Sequence, residues 1–212
     1  MARVGIIAEF NPLHTGHYYL LEEAKRLGTV TAVISGNFVQ RGDIAVAEKR
    51  ARAKAALLCG ADIVLEMPVC YSMSTAQNFA LCGVFSLLSA GCDTIMFGSE
   101  CGDINALKDA AYALSSDLYK ERLKKYLKTG MTFAAAREKA ADIGGGLLSG
   151  ANNNLAIEYI TAAKNIGADF NFLTVKRQGA AHDSKSADGG FVSASLLREH
   201  LINKDCEFCK KY

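Results

Sequence analysis

What this sequence most lacks is charge of one sign: 24 Lys and Arg stand against 22 Asp and Glu, a formal balance of +2 in 212 residues. That excludes a protein that coats nucleic acid by charge alone, though not a local basic patch. It also lacks an apolar run long enough to span a bilayer. The nearest approach, residues 79–92, is too short and carries Ser and Gly, so it reads as a buried helix. The opening MARVGIIAEF enters an apolar strand without the layout of a signal peptide. Seven Cys make an odd count with no framework spacing, so reduced thiols and a cytoplasmic location are expected. Cys206 and Cys209 are a lone pair in a polar tail, and a zinc site there would need ligands from another chain. Internal repeats and low-complexity tracts are missing too.

What is present is apolar material in short runs. Half of the residues are hydrophobic, enough for a sizeable core. Residues 3–10, 30–36, 61–68, 92–99 and 168–176 are rich in Val, Ile and Phe and read as strands. Most are near-continuously apolar, as in a parallel sheet covered on both faces. Helical patterns lie between them and close on Gly, and the recurring endings CGAD, AGCD and IGAD read as helix stops feeding the next strand. The alternation predicts an α/β, Rossmann-like doubly wound parallel sheet of about five strands. Residues 103–166 read as helices only, a helical insertion before the last strand. The expected division is a core of 1–102 and 167–202, the insertion 103–166 and a tail 203–212. The basic stretch KERLKKYLK (120–128) reads as a solvated face in preference to an RNA groove.

Only four His occur, and two of them fall in IAEFNPLHTGH, three residues apart with a Gly between. In an open α/β sheet ligands bind beyond the carboxyl ends of the strands, and His14 and His17 lie just past the first. Asn11-Pro12 makes the turn, Thr15 can cap the following helix, and Gly16 removes a side chain near its first turn. Free N–H groups at the helix start, with two imidazoles, suit a phosphate whose charge grows in a transition state. One well-aimed donor of this kind contributes roughly 3–4 kcal/mol. No Cys or carboxylate cluster nearby completes a metal site, so no protein-held metal is expected. The other reading of the pair is a capping or surface role at a helix start.

NPLHTGH resembles the H-x-G-H motif of the nucleotidylyltransferase superfamily. With SGNFVQRGDIAVAEKRARAKAAL, GADIVLEMPVCYS, FGSE, NNNLAIEYITA, KRQGAAHDS and VSASLLRE following in order, residues 4 to about 200 resemble the tRNA(Met) cytidine acetate ligase family. The resemblance implies a fold of the HUP type and activation of acetate by ATP to acetyl-adenylate. The acetyl group would then pass to the wobble cytidine of elongator tRNA(Met), giving N4-acetylcytidine. It implies an ATP loop of Ile6, Ile7, Ala8, Glu9, Phe10, Asn11, Pro12, Leu13, His14, Thr15, Gly16 and His17, running on to Tyr19. His14 and His17 would be catalytic, and Gly98, Asn152 and Arg177 would be further nucleotide contacts. Ser193, Ser195 and Arg198 would form the second superfamily signature, facing the β- and γ-phosphates, with Mg²⁺ bridging the triphosphate.

Plainer readings stand beside these. Gly98 could be a turn, residues 152–154 a helix cap, Arg177 a surface residue and VSASLLR a capping box. Gln40 and Arg41 fit either substrate contact or loop scaffolding, and His182-Asp183 either a nucleotide neighbour or a turn. Ala151 and Ala156 stand where the family carries Pro and Gly. Family members are commonly longer, the extra C-terminal part being expected to bind tRNA; this chain is expected to lack it. An adenylyltransferase for a small phosphorylated acceptor, a short paralogue without tRNA activity and a non-catalytic nucleotide-binding module are the competing readings.

Overall fold

The computed structural model describes residues 1–40, 42–144, 146–177 and 192–212, with Cys206 described in its backbone only. Arg41, His182 and Asp183 therefore lie outside the described residues. Five strands, β1 (Ala2–Ala8), β2 (Gly28–Ser35), β3 (Ile63–Met67), β4 (Thr94–Ser99) and β5 (Asn171–Lys176), form one sheet in the order β3-β2-β1-β4-β5. Every pairing is parallel. The chain lays down β1 to β3 in one direction and then returns to the far side of β1, so the switch point lies between β1 and β4.

Strand alternation divides the apolar runs between two faces. Val4, Ile6, Val30, Ala32 and Ile34 meet Leu20, Leu21 and Ala24 of α1 (Thr15–Leu27) and Ala56 of α2 (Lys49–Leu58). Ile7, Val33, Ile95, Phe97 and Phe172 face α4 (Ala76–Ser89), α5 (Ile104–Ser115) and α8 (Ala151–Asn165). A short α3 (Val69–Ser72) precedes α4. Helix α4 lies close on β1: a methyl group on Gly83 would stand 2.7 Å from Ile7 Cδ1. The expectation that residues 79–92 form a buried helix holds for one face only. Phe79, Ala80, Val84 and Leu87 are buried on the sheet, whereas Leu81, Phe85 and Leu88 are exposed. The expected helix stops are present, Gly60, Gly91 and Gly167 having φ of 116°, 76° and 68°.

Between β4 and β5 lie α5, α6 (Asp117–Lys128), α7 (Phe133–Ala141), a 3₁₀ turn at Leu147–Ser149 and α8, with no strand among the described residues. Helix α6, the basic stretch, has no buried residue. Helix α8 is anchored through Ala156, Ile157, Tyr159, Ile160 and Ala163 in the same core as α4. The polar tail folds back: α10 (Cys206–Cys209) follows α9 (Ala194–Ile202), the Phe208 ring stacks on His200 at 3.7 Å, and Tyr212 joins the cluster of Val192, Leu196 and Leu197. Among the described residues no helix is long and apolar enough to cross a membrane. Six cysteines there, Cys59, Cys70, Cys82, Cys92, Cys101 and Cys209, are free thiols.

Candidate active site

Beyond the carboxyl ends of β1 and β4 a cavity of about 350 Å³ opens. It brings together, from the expected set, Ile7, Ala8, Glu9, Phe10, Asn11, His14, Gly16, His17, Tyr19, Gly98, Asn152, Arg177, Ser195 and Arg198. Ile6, Pro12, Leu13, Thr15 and Ser193 do not line it. Ile6 packs on the other face of the sheet. Ser193 is buried, and its Oγ accepts from Leu196 N–H at 3.1 Å as the N-cap of α9.

The loop from β1 to α1 is locked from several sides. Phe10 is buried with φ of 47°, and the Asn11–Pro12 peptide is cis. Asn11 Oδ1 accepts from Val46 N–H at 2.8 Å, and Asn11 O accepts from Arg198 Nη1 at 2.8 Å. Arg198 also donates to Ser195 Oγ at 2.9 Å, which ties α9 to the loop.

The cap of α1 is His14, not Thr15. Its Nδ1 accepts from Gly16 N–H at 3.0 Å, while Thr15 N–H donates to Tyr212 O at 2.9 Å. The expected free N–H groups at this helix start are thus already taken, those of His17 and Tyr18 by His14 O. His14 and His17 stack at 3.9 Å with planes 29° apart, and Phe10 meets His17 edge-on at 5.0 Å. His17 Nδ1 is buried without a partner among the described residues. Gly16 is needed for the stack: a methyl group there would lie 3.0 Å from His14 Cε1. Gly16→Ala is expected to shift the His14 ring by a few tenths of an ångström. Turnover should then fall about tenfold, less than the roughly 10²-fold that a 1 Å misplacement costs. Melting temperature and kcat measured together test this.

Both rings are held neutral. Burial, and then the neighbouring Arg177 guanidinium, lower the His14 pKa to about 4. Burial, His14 and Arg177 push His17 well below its usual value. Each ring binds protons less readily in the folded state than in the unfolded chain, so acid favours unfolding. The stability conferred by a neutral ring is complete above pH 6.5 and is lost as pH falls towards about 4, His14 alone accounting for on the order of 3 kcal/mol. Thermal melts across that window should fall more steeply for the native protein than for His14→Asn.

Arg177 lines the cavity beside Gly98, where an added methyl would stand 3.4 Å from Arg177 Cγ. Gln40 lines the cavity, and its backbone N–H donates to Glu9 Oε1 at 2.7 Å, as loop scaffolding requires. Two residues without an assigned role prove structural to the site. Arg52, buried on α2, donates to Glu9 O at 2.5 Å, to Ser35 O and Ala47 O at 3.0 Å, and to Gly36 O. It binds the ends of β1 and β2 to the 36–47 loop. Its trace in the sequence is a cation four residues before buried Ala56, on the helix stripe that faces the core. Glu100, quoted only as part of FGSE, occupies the start of α8, where Gly150 offers no side-chain cap. Asp43, Asn154, Tyr159 and Lys176 also line the cavity, with no local signal to find them.

Among the described residues no group of three or more His, Cys, Asp or Glu could hold a metal ion. The cavity carries two carboxylates, Glu9 and Asp43, against the cations Lys176, Arg177 and Arg198. Such a donor set suits a polyanion that brings its own cation.

Comparison with known proteins gives the same picture. A family model described as HIGH Nucleotidyl Transferase matches residues 1–212. A tRNA(Met) cytidine acetate ligase of Thermoanaerobacter sp. (strain X514) is 44% identical over 225 aligned residues, covering 100% of this chain and 56% of the relative. The enzyme of that name from Caldicellulosiruptor saccharolyticus is 41% identical, over 96% of this chain and 53% of the relative. The crystal structure of apo Thermotoga maritima TmcAL superposes with a TM-score of 0.91 at 36% identity, over 100% of this chain and 54% of that one. The same protein bound with alpha-thio ATP gives 0.88 at 36% identity, over 100% and 53%. The chain spans about half the length of the curated relatives it matches.

Proposed function

The chain belongs to the HIGH nucleotidyl transferase family, and from that premise we propose that it activates acetate with ATP and passes the acetyl group to the wobble cytidine of elongator tRNA(Met). One observation carries the reading: two stacked, neutral imidazoles, Arg177, Arg198 and Ser195 share one cavity at the switch point of the sheet. The solved relative bound with alpha-thio ATP supports ATP as the nucleotide, and the relatives' name supports acetate and tRNA(Met) as partners.

Acetate supplies an oxygen to the α-phosphorus, the bond to the β-phosphate oxygen breaks, and pyrophosphate leaves. Because His14 is neutral and its Nδ1 accepts from Gly16 N–H, its proton sits on Nε2. His14 meets the phosphate as an N–H donor, stabilising the charge that builds on the non-bridging oxygens without giving up a proton, and the stacked His17 ring holds it in place. Arg177 compensates the growing charge, while Arg198 and Ser195, tied to each other and to Asn11, face the leaving pyrophosphate. Mg²⁺ would enter on the triphosphate and draw charge from the leaving oxygens, with Glu9 and Asp43 as the carboxylates within the cavity. In the second step the exocyclic nitrogen of cytidine attacks the acetyl carbon. The bond to the adenylate oxygen breaks, AMP leaves with that oxygen, and the nitrogen loses a proton.

Pyrophosphate release from MgATP, measured with acetate, with pantetheine phosphate and without acceptor, tests this. Acetate-dependent release is expected. Release with the phosphorylated acceptor alone would make the protein a small-molecule adenylyltransferase, and ATP binding without any release would make it a binding module.

A further inference from the structure

Glu100 follows β4 directly and reaches the start of α8. Its Oε1 accepts from the backbone N–H of Asn152 at 3.0 Å and from the side-chain Nδ2 of Asn152 at 2.7 Å, and its Oε2 accepts from Asn153 N–H at 2.7 Å. Asn153 returns the contact: its Oδ1 accepts from the N–H groups of Glu100 at 3.0 Å and Cys101 at 3.2 Å, and its Nδ2 donates to Leu147 O at 3.0 Å. Burial alone would raise the Glu100 pKa, but the hydrogen bonds from Asn152 and Asn153 outweigh it and hold the carboxyl below its usual range.

An ionised carboxylate only accepts hydrogen bonds. The side of the Asn152 amide that faces Glu100 must therefore be its NH₂, which settles the orientation on chemical grounds. The carbonyl oxygen is the other end. Asn152 lines the cavity together with Gly98, and its Oδ1 accepts no hydrogen bond among the described residues. An amide oxygen beside a carboxylate is a poor neighbour for a phosphate and a good one for a donor. We infer that Glu100 is a positioning residue that fixes Asn152 as an acceptor, so that Asn152 Oδ1 takes a hydrogen bond from an N–H or O–H at the nucleoside end of the bound nucleotide. This inference rests on the proposed ATP site and assigns the polarity with which the site reads its nucleotide.

The test is a binding titration of four nucleotides: ATP, purine riboside triphosphate without the 6-amino group, 2′-deoxy-ATP and 3′-deoxy-ATP. Each is titrated into the native protein, Asn152→Ala and Glu100→Gln. The native protein should bind one of the three analogues about tenfold more weakly than ATP, the analogue identifying the donor. Asn152→Ala should bring that ratio close to one. Glu100→Gln should shrink the ratio without abolishing it, because an amide at 100 keeps its oxygen on the two Asn152 donors only by setting its NH₂ against Asn153 N–H, which loosens the hold on the Asn152 amide. A merely structural role for Glu100 would weaken all four nucleotides alike and leave the ratio unchanged, which would overturn the inference. Equal binding of all four by the native protein would overturn it too, as would a ratio that survives Asn152→Ala. That variant keeps the test decisive if Glu100→Gln does not fold. Failure of the native protein to bind ATP at all would instead remove the nucleotide site on which the inference stands.

Discussion

Replacing His14 with Ala is expected to lower acetate-dependent pyrophosphate release by roughly 10³-fold, about 4 kcal/mol of transition-state stabilisation. The loss has two physical sources. In the proposed reaction the imidazole is a donor to the α-phosphate, and it is also the N-cap of α1 and the surface on which the His17 ring rests. His14→Asn separates them. An Asn at the cap keeps an oxygen for the Gly16 N–H, so the melting temperature should stay near that of the native protein, while the rate should remain depressed by at least 10²-fold. Should His14→Asn restore the rate, His14 would matter only as a cap. The steady-state rates and melts of both variants decide between these.

Arg52→Met should have the largest effect on folding. Methionine fills much of the same volume, so the loss reports the hydrogen bonds. The buried guanidinium serves Glu9, Ser35, Gly36 and Ala47, all through backbone carbonyls. Each buried carbonyl left without a donor costs about 1–3 kcal/mol, and with incomplete additivity the sum should be about 3–5 kcal/mol. In a chain of this size that lowers the melting temperature by about 10 °C. Because Glu9 opens the His14 loop, turnover should fall even below the new melting point. A melting temperature unchanged within 2–3 °C, a drop of about 1 kcal/mol or less, would contradict this account of Arg52.

The sheet was legible because its central strands are buried on both faces. A run such as Val4 to Ile7 shows no alternation in sequence, and the structure explains why: Ile6 and Ile7 enter different cores. The helix stops were legible because positive φ selects Gly. The His pair could be found because its spacing and its place after a strand are local. What could not be read locally are contacts over long separations. Arg52 reaches 43 residues back to Glu9, and Glu100 reaches 52 residues forward to Asn152. Thr15 was the natural cap by residue type, yet the ring of His14 can turn back onto the Gly16 N–H because position 16 has no side chain to block it. Ser193 and Ser195 looked alike in VSASLLR. One became the buried helix cap, and the other, two residues on, lines the cavity next to Arg198.

The central claim is that an acetate oxygen attacks the α-phosphorus of ATP. Acetate labelled with ¹⁸O in both carboxyl positions, incubated with the protein, MgATP and hydroxylamine to trap the acetyl group, puts it to the most direct test, because mass spectrometry of the nucleotide product follows the oxygen without need of tRNA. The account predicts AMP carrying one ¹⁸O from acetate, together with acetohydroxamate and pyrophosphate. Unlabelled AMP, or ADP with the label in inorganic phosphate, would contradict it.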